Sequence, residues 1–475
     1  MVKATRTSAV LLGLAALGLL GSSIPAFAEV QNVKVGGDVT VRSFFRSNLD
    51  LHQSSIDPSD TDLNSHENFL MTTTGLNVAA DLTENISAVL RLANERDWNA
   101  PTAAGGDVAI SQSYVKIRDL FYSPLTVTIG RQPIVWGRGF VLGSGLLPNV
   151  VNRGDDVHAS ITANEFTDFT AFDAIRGTVD LQGKGAIDLP LTLDLVYIKI
   201  NENAIGSADD VNLLGVNVGS KIAAADSEVE AYYLNKRDRS SGTSTNDNFG
   251  SVSTIGVRGS SAPVEGSSLY AELAYQFGKR ATDFSGVLAA GDAQQAWGFD
   301  LGAEYTAKEV PTSPKIGAEW IFFSGKDVDG AVGGWDPIAR GYFTTALREF
   351  STASSVTGFY PVDQTCFSNG TAANACTGST TNQHQLSLYG SLKPLEDLTI
   401  SPRLSWFVLD KGAIPVAGSK RRSFAGTEWD TVMTYDYTDD VQFGVIYALF
   451  APGNTFRHPT DSPAQELITS VGVKF

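Results

Sequence analysis

The chain has 475 residues, with 52 acidic against 35 basic side chains and a formal net charge of −17. So acidic a protein does not seek nucleic acid through its overall field. Beyond the first thirty residues no run of eighteen or so apolar residues occurs, which excludes a helical membrane span but not a strand-built one.

Residues 1–28 read as a cleaved secretory signal peptide: Lys3 and Arg6 start it, an apolar core follows, and Ala26-Phe27-Ala28 forms a small-residue cleavage site. Residues 29–475 are then expected as one exported domain. From residue 32 onward, segments of alternating polarity recur with turn residues between them. In the first, Val33, Val35, Val39 and Val41 share one face of an extended strand, and Lys34, Asp38, Thr40 and Arg42 share the other. Further segments centre near Leu76, Leu90, Val115, Val127, Ile175, Leu193, Val216, Ala231 and Ile255. They continue near Leu273, Leu301, Trp320, Leu388, Leu404, Met433, Val445 and Val471. The total is eighteen, and an even number closes an antiparallel barrel with both termini on the periplasmic side.

The connections alternate too. Gaps near 81–85, 224–227, 394–397 and 438–440 are short. The intervening set holds every long one: 48–65, 131–165 and 326–381. Short turns on one side and long loops on the other are the asymmetry of a transmembrane barrel. Trp297, Phe299, Tyr305, Trp320, Phe322, Trp429, Tyr435, Phe443 and Tyr447 fall on the apolar faces, as interfacial girdles require. The last strand alternates Leu467, Thr469, Val471, Val473 and Phe475 against Ile468, Ser470, Gly472 and Lys474. It resembles the closing strand of bacterial outer-membrane barrels, in which a terminal aromatic residue is read by the barrel assembly machinery. Closure predicts that it pairs with the first strand.

Residues 123–137, Ser-Pro-Leu-Thr-Val-Thr-Ile-Gly-Arg-Gln-Pro-Ile-Val-Trp-Gly, carry a strand that ends in Gly-Arg-Gln, then Trp-Gly, then a long loop. With Phe172-Asp-Ala-Ile-Arg-Gly177 they resemble the alginate-export family of outer-membrane barrels. The resemblance implies an outer-membrane, porin-like channel for passive diffusion or export of hydrophilic, anionic solutes or polysaccharide, in contact with membrane lipid and lipopolysaccharide. The Arg-rich tract expected after Trp-Gly is replaced here by Gly139-Phe-Val-Leu-Gly143 and Leu146-Leu-Pro-Asn149. An outer-membrane hydrolase and a closed structural or receptor barrel are the alternatives from other classes.

The loop after residue 131 carries apolar side chains that water should not face, so it is expected to fold into the lumen. Arg131, Trp136, Arg138 and Arg153 would then stand near the constriction. On the face opposite the apolar residues, the early strands contribute Arg42, Arg91, Lys116, Arg118 and Arg176. Later strands contribute Glu228, Glu230, Glu272, Asp300, Glu304 and Glu319. The segregation has exceptions: Asp38, Glu95 and Asp180 on the basic arc, Arg258 and Lys315 on the acidic one, and Arg403 beyond both. Three accounts remain open: a transverse field that selects solutes, mutual ion pairs that stiffen the barrel, and chance. Cys366 and Cys376 are expected to form a disulfide in an oxidising compartment. No cofactor or metal is expected: the five histidines lack ligand spacing, and Asp327-Val-Asp-Gly330 lacks the further ligands of a calcium loop.

Overall fold

Alternation of apolar and polar residues leaves one face of each strand for lipid and one for the interior. In the computed structural model eighteen such strands form one closed sheet. They are β1 Asn32–Ser47, β2 His66–Asp81, β3 Ile86–Asp97, β4 Ala109–Ile117, β5 Leu125–Gln132, β6 Phe172–Asp180, β7 Leu191–Asn201, β8 Val211–Ile222 and β9 Ser227–Asp238. The second half comprises β10 Gly250–Ser261, β11 Ser267–Lys279, β12 Ala293–Thr306, β13 Lys315–Phe323, β14 Gln383–Leu395, β15 Leu398–Ala413, β16 Arg422–Asp436, β17 Val441–Pro452 and β18 Ala464–Lys474. The structure describes residues 32–48, 66–98, 108–122, 124–144, 163–181, 190–201, 210–239, 250–279, 293–325, 334–350, 381–413, 420, 422–455 and 463–475. The expected signal peptide, the Cys366–Cys376 disulfide, Arg153 and residues 327–330 lie outside them.

Each strand pairs antiparallel with its sequence neighbours, and β18 pairs with β1 from Asp38↔Lys474 to Ser47↔Gln465. The Phe475 amide donates to the Gly37 carbonyl (3.0 Å), and the Gly37 amide to the Phe475 carbonyl (2.8 Å). No edge is left for another chain to pair with. The alternation holds on this seam: Leu467, Val471, Val473 and Phe475 are exposed, whereas Ile468 is 3% exposed inside. Each segment centre read from the sequence lies within its strand.

No helix among the described residues is long and apolar enough to cross a membrane; strands make the crossing. The aromatic residues cluster on the outer face, Tyr275 against Trp297 (4.4 Å between ring centroids) and Phe299 against Trp320 (4.7 Å). Connections after even-numbered strands are the short ones, down to two residues between β14 and β15. Those at 181–190 and 307–314 are as long as the shortest opposite loop, 414–421, so the asymmetry lies in the long members.

One boundary is corrected. Arg131 belongs to β5, not to the loop: it pairs in register with Asp173, and the ladder continues to Gln132. Pro133, which has no N–H to donate, ends it.

Candidate functional site: the lumen and its two inward loops

The third loop, between β5 and β6, turns into the barrel at once. Residues 134–144 double back, with the Trp136 amide donating to the Leu142 carbonyl (2.9 Å) and the Ile134 amide to Ser144 Oγ (2.6 Å). Ile134, Trp136, Phe140 and Leu142 are almost wholly buried against an apolar patch of the inner wall that includes Phe172, Ile198, Leu213 and Phe323. Each such side chain removed from water contributes roughly 1.5–3 kcal/mol, which holds the loop inside. Trp136 is therefore a lumen residue, its indole N–H donating to Asp194 (2.8 Å).

The loop between β13 and β14 comes in from the other side. Residues 334–341 lie beside the third loop: the Gly143 amide donates to the Ala339 carbonyl (2.8 Å) and the Gly341 amide to the Gly139 carbonyl (2.9 Å). A parallel bridge joins Leu142 to Ala339. The two loops form one internal body.

Three anchors tie it to the wall. Arg46 of β1, 2% exposed, ion-pairs with Glu165 of the third loop and with Glu466 of β18 (2.5 Å). Arg91 of β3 bridges Asp38 of β1 and Asp168 of the third loop, both at 2.8 Å, and the Asp168 amide donates to Glu95 (2.5 Å). On the far side, the turn at Ala346–Phe350 directs its amides onto β16: Leu347 and Arg348 to Glu428 (2.6 and 2.9 Å), and Ala346 to Asp430 (3.1 Å).

Between the anchors runs a lattice of tyrosines, arginines and carboxylates. Tyr232, Tyr270 and Tyr389 each face a glycine directly across the ladder: Gly256, Gly302 and Gly317. A Cβ on any of these glycines would meet the phenol ring. With hydrogen there instead, each tyrosine crosses one strand and donates to a carboxylate on the next: Tyr232 to Glu272 (2.7 Å), Tyr270 to Glu319 (2.6 Å), Tyr389 to Glu304 (3.2 Å). Arg138 of the third loop stacks on Tyr270 (3.6 Å to the ring centroid) and Tyr342 (4.7 Å), and points at Glu319 (3.4 Å) and Asp300 (3.7 Å). Arg403 reaches Glu319 from the other side (2.9 Å) and stacks on Tyr389. Each cation–π contact is worth about 0.5–2 kcal/mol. Burial alone would lower the Arg138 guanidinium, but Tyr342, Tyr270 and the two carboxylates raise it above its ordinary value. Burial raises the Tyr342 phenol, and Glu319 adds to it. Arg138 is fixed as a cation.

The residues singled out in the sequence sort into two groups. Arg91, Arg176 and the acidic set are engaged: Arg176 with Asp194 (2.8 Å), Glu228 and Glu230 with Arg258 (3.4 and 2.6 Å), Glu304 with Lys315 (3.5 Å), and Glu272, Asp300 and Glu319 as above. Four of the exceptions to segregation are counter-ions: Asp38, Arg258 and Lys315 each neutralise a residue of the arc they interrupt, and Arg403, beyond both arcs, neutralises Glu319; Glu95 instead accepts from the Asp168 amide and the Thr167 hydroxyl. By contrast, Arg42 has no carboxylate within ion-pair distance among the described residues; it reaches Thr73 (3.4 Å) and lies over the Phe166 ring (4.7 Å). Lys116 has no side-chain partner among the described residues. Arg118, expected on the strand, lies one residue beyond the end of β4 in the short turn, exposed, with its amide on the Asn85 carbonyl (2.8 Å) and no side-chain partner among the described residues.

Arg131 is not part of the constriction. Its neighbours of like parity, Ile129 and Ile175, are about half exposed on the outer face, and it pairs there with Asp173 (2.9 Å). His384 also faces outward, stacked on Phe322 (4.5 Å). The anchors at Arg46, Glu165, Asp168, Glu428 and Asp430 were not singled out in the sequence. Glu428 and Asp430 flank Trp429 in strict alternation, a signal that could have found them.

A family model described as alginate export matches residues 33–470. Among solved structures, Acinetobacter baumannii OccAB2 is similar at 11% identity, with 94% of this chain and 99% of that chain covered and a TM-score of 0.52. Pseudomonas aeruginosa OpdL is similar at 13% identity with the same coverage and TM-score. A BenF-like porin from Pseudomonas fluorescens Pf-5 is similar at 11% identity, again with 94% and 99% covered, and a TM-score of 0.51. At these identities the likeness concerns the fold. No curated protein sequence matches the chain.

Proposed function

Because the chain belongs to the alginate-export family, and is thereby an outer-membrane channel for solutes or polysaccharide, we propose that its cargo is anionic and of uronate type. The observation that carries this is a set of basic side chains with no ion pair among the described residues: Arg42 on the inner face of β1, Lys116 on the inner face of β4, and Arg118 just beyond the end of β4. Rows of fixed charge at close quarters govern which polar groups pass. Tyrosine faces beside guanidinium groups also suit a polymer that alternates sugar rings with carboxylates. Arg138, 28% exposed at its side chain, would meet such a chain where the two loops approach the wall.

The test is single-channel recording of the purified full chain in planar bilayers. The channel should conduct, prefer anions, and be blocked by uronate oligomers more strongly than by neutral oligosaccharides of equal length. Replacing Arg42, Lys116 and Arg118 with Gln should lower the anion preference and weaken uronate block about tenfold at low salt, where screening is least. Equal block by neutral oligomers would overturn the anionic reading.

A further inference from the structure

We propose that the outer surface at the extracellular end of β2 and β3 is a binding site for a phosphorylated glycolipid headgroup of the outer leaflet. On β3 the outward positions run Leu90, Leu92, Asn94, Arg96, the inward ones Arg91, Ala93, Glu95, Asp97; Trp98 continues the outward row, its amide donating to the Leu70 carbonyl (2.8 Å). The ladder sets Arg96 opposite Thr72 of β2. Thr72, Asn94, Arg96 and Trp98 together line a cavity of 420 Å³ open to the outside of the barrel. Trp98 is 54% exposed, yet its indole N–H is held by Thr72 Oγ1 (2.8 Å), which fixes the ring as one wall.

Arg96 stands without a carboxylate among the described residues. Of the outward cations at this end, Arg131 has Asp173 (2.9 Å) and Lys199 has Asp210 (2.7 Å), whereas Arg237 is held by the Asn235 amide oxygen (3.2 Å) and Arg422 by the Asn454 carbonyl (3.1 Å); of these, only Arg96 stands beside a fixed indole and a cavity. The two ion pairs are neutral toward the membrane. Arg96 has neither an ion pair nor a side-chain hydrogen bond among the described residues. A guanidinium facing the interface of a bilayer needs an anionic partner or deep hydration. Phosphate fits it in charge and in the planar, forked geometry of its donors. Below the cavity the outward row becomes apolar at Leu92 and Leu76, which is the surface that acyl chains of a lipid would cover. Free phosphate would use the guanidinium alone; a glycolipid uses the guanidinium, the indole face, the polar pair Thr72 and Asn94, and the apolar wall beneath.

The experiment is native mass spectrometry of the full chain released from phosphatidylcholine nanodiscs doped with bisphosphorylated lipid A. The wild type should retain lipid A. Arg96→Glu should lower retention about tenfold or more, the scale of a two-charge change at an anionic lipid surface. Arg96→Lys should keep part of it, and Trp98→Ala should lower it without touching the charge. Dephosphorylated lipid should be retained no better than in Arg96→Glu, and millimolar inorganic phosphate should not displace lipid A. Conductance should be the same in all three variants, which separates this site from the lumen. Undiminished retention in both Arg96→Glu and Trp98→Ala overturns the proposal. Equal retention of dephosphorylated lipid, or full displacement by inorganic phosphate, overturns the choice of a phosphorylated lipid.

Discussion

Gly143 of the third loop and Gly341 of the loop before β14 touch backbone to backbone: a Cβ on Gly143 would fall 2.7 Å from the Gly341 Cα. Neither glycine has room for a side chain, because the two inward loops share hydrogen bonds on either side of the contact. Replacing either residue with Val should force the loops apart at a cost of about 1–3 kcal/mol, the usual scale of overpacking. Separated loops widen the lumen, so single-channel conductance should rise. A correctly folded Gly341→Val barrel with wild-type conductance would show that the pair does not set the constriction.

The Arg46 anchor carries a pH dependence. One guanidinium serves two carboxylates there, and burial carries Glu165 up to about 7, with Arg46 opposing and Glu466 adding to the rise. A carboxyl with a raised value in the docked state binds its proton more tightly than when undocked, so docking is favoured by low pH. That contribution is complete below about 4.5 and is lost as pH rises through about 7. Hydrogen exchange of residues 163–170, corrected for intrinsic rates, should therefore show more opening at pH 8.5 than at pH 5.5. Glu165→Gln cannot ionise and should remove the dependence; persistence of the pH effect in that variant would assign it elsewhere.

The wall of this barrel was legible in the sequence because a period of two reports directly which residues meet lipid, and closure follows from even strand number and paired termini. The lumen was only half legible. Parity told that Arg91 and Glu319 face inward, but their partners Asp168 and Arg138 come from a loop 77 and 181 residues distant in sequence, and no local pattern encodes that. Arg131 was misplaced for a different reason: Gly-Arg-Gln-Pro reads as a strand end, and the ladder runs two residues beyond the glycine before Pro133 stops it. The imperfect charge segregation was visible yet open to three accounts, and the geometry favours mutual pairing for most of it.

Arg91 should accordingly behave as a structural residue. Its guanidinium joins two strands and a loop through Asp38 and Asp168, so Arg91→Gln leaves two part-buried carboxylates uncompensated. Removing one partner of a buried pair costs about 3–5 kcal/mol, and partial solvent access brings this toward the lower end or below it. The expected result is a lowered melting temperature and increased exchange at 163–170, with ion selectivity altered less than by the Arg42, Lys116 and Arg118 replacements. Asp38→Asn and Asp168→Asn added to Arg91→Gln should restore part of the stability. A variant that melts like the wild type but reverses selectivity would instead make Arg91 a selectivity residue.

The seam where the barrel closes offers the last test. Phe475 lies over Gly37, whose missing side chain leaves room for the aromatic ring: a Cβ there would fall 2.6 Å from Phe475 Cζ. The two residues also exchange backbone hydrogen bonds, so the last residue of β18's run completes the pairing that removes both sheet edges. Deleting Phe475 takes away two hydrogen bonds and the exposed ring together. Gly37→Val keeps Phe475 but displaces its ring. If the aromatic ring itself guides closure, both variants should accumulate as unfolded, heat-unmodifiable protein, whereas Phe475→Tyr should assemble normally. If only the backbone pairing matters, Gly37→Val should assemble and the deletion alone should fail. Normal outer-membrane levels of the deletion, read from heat-modifiable mobility on gels, would show that Phe475 has no part in assembly.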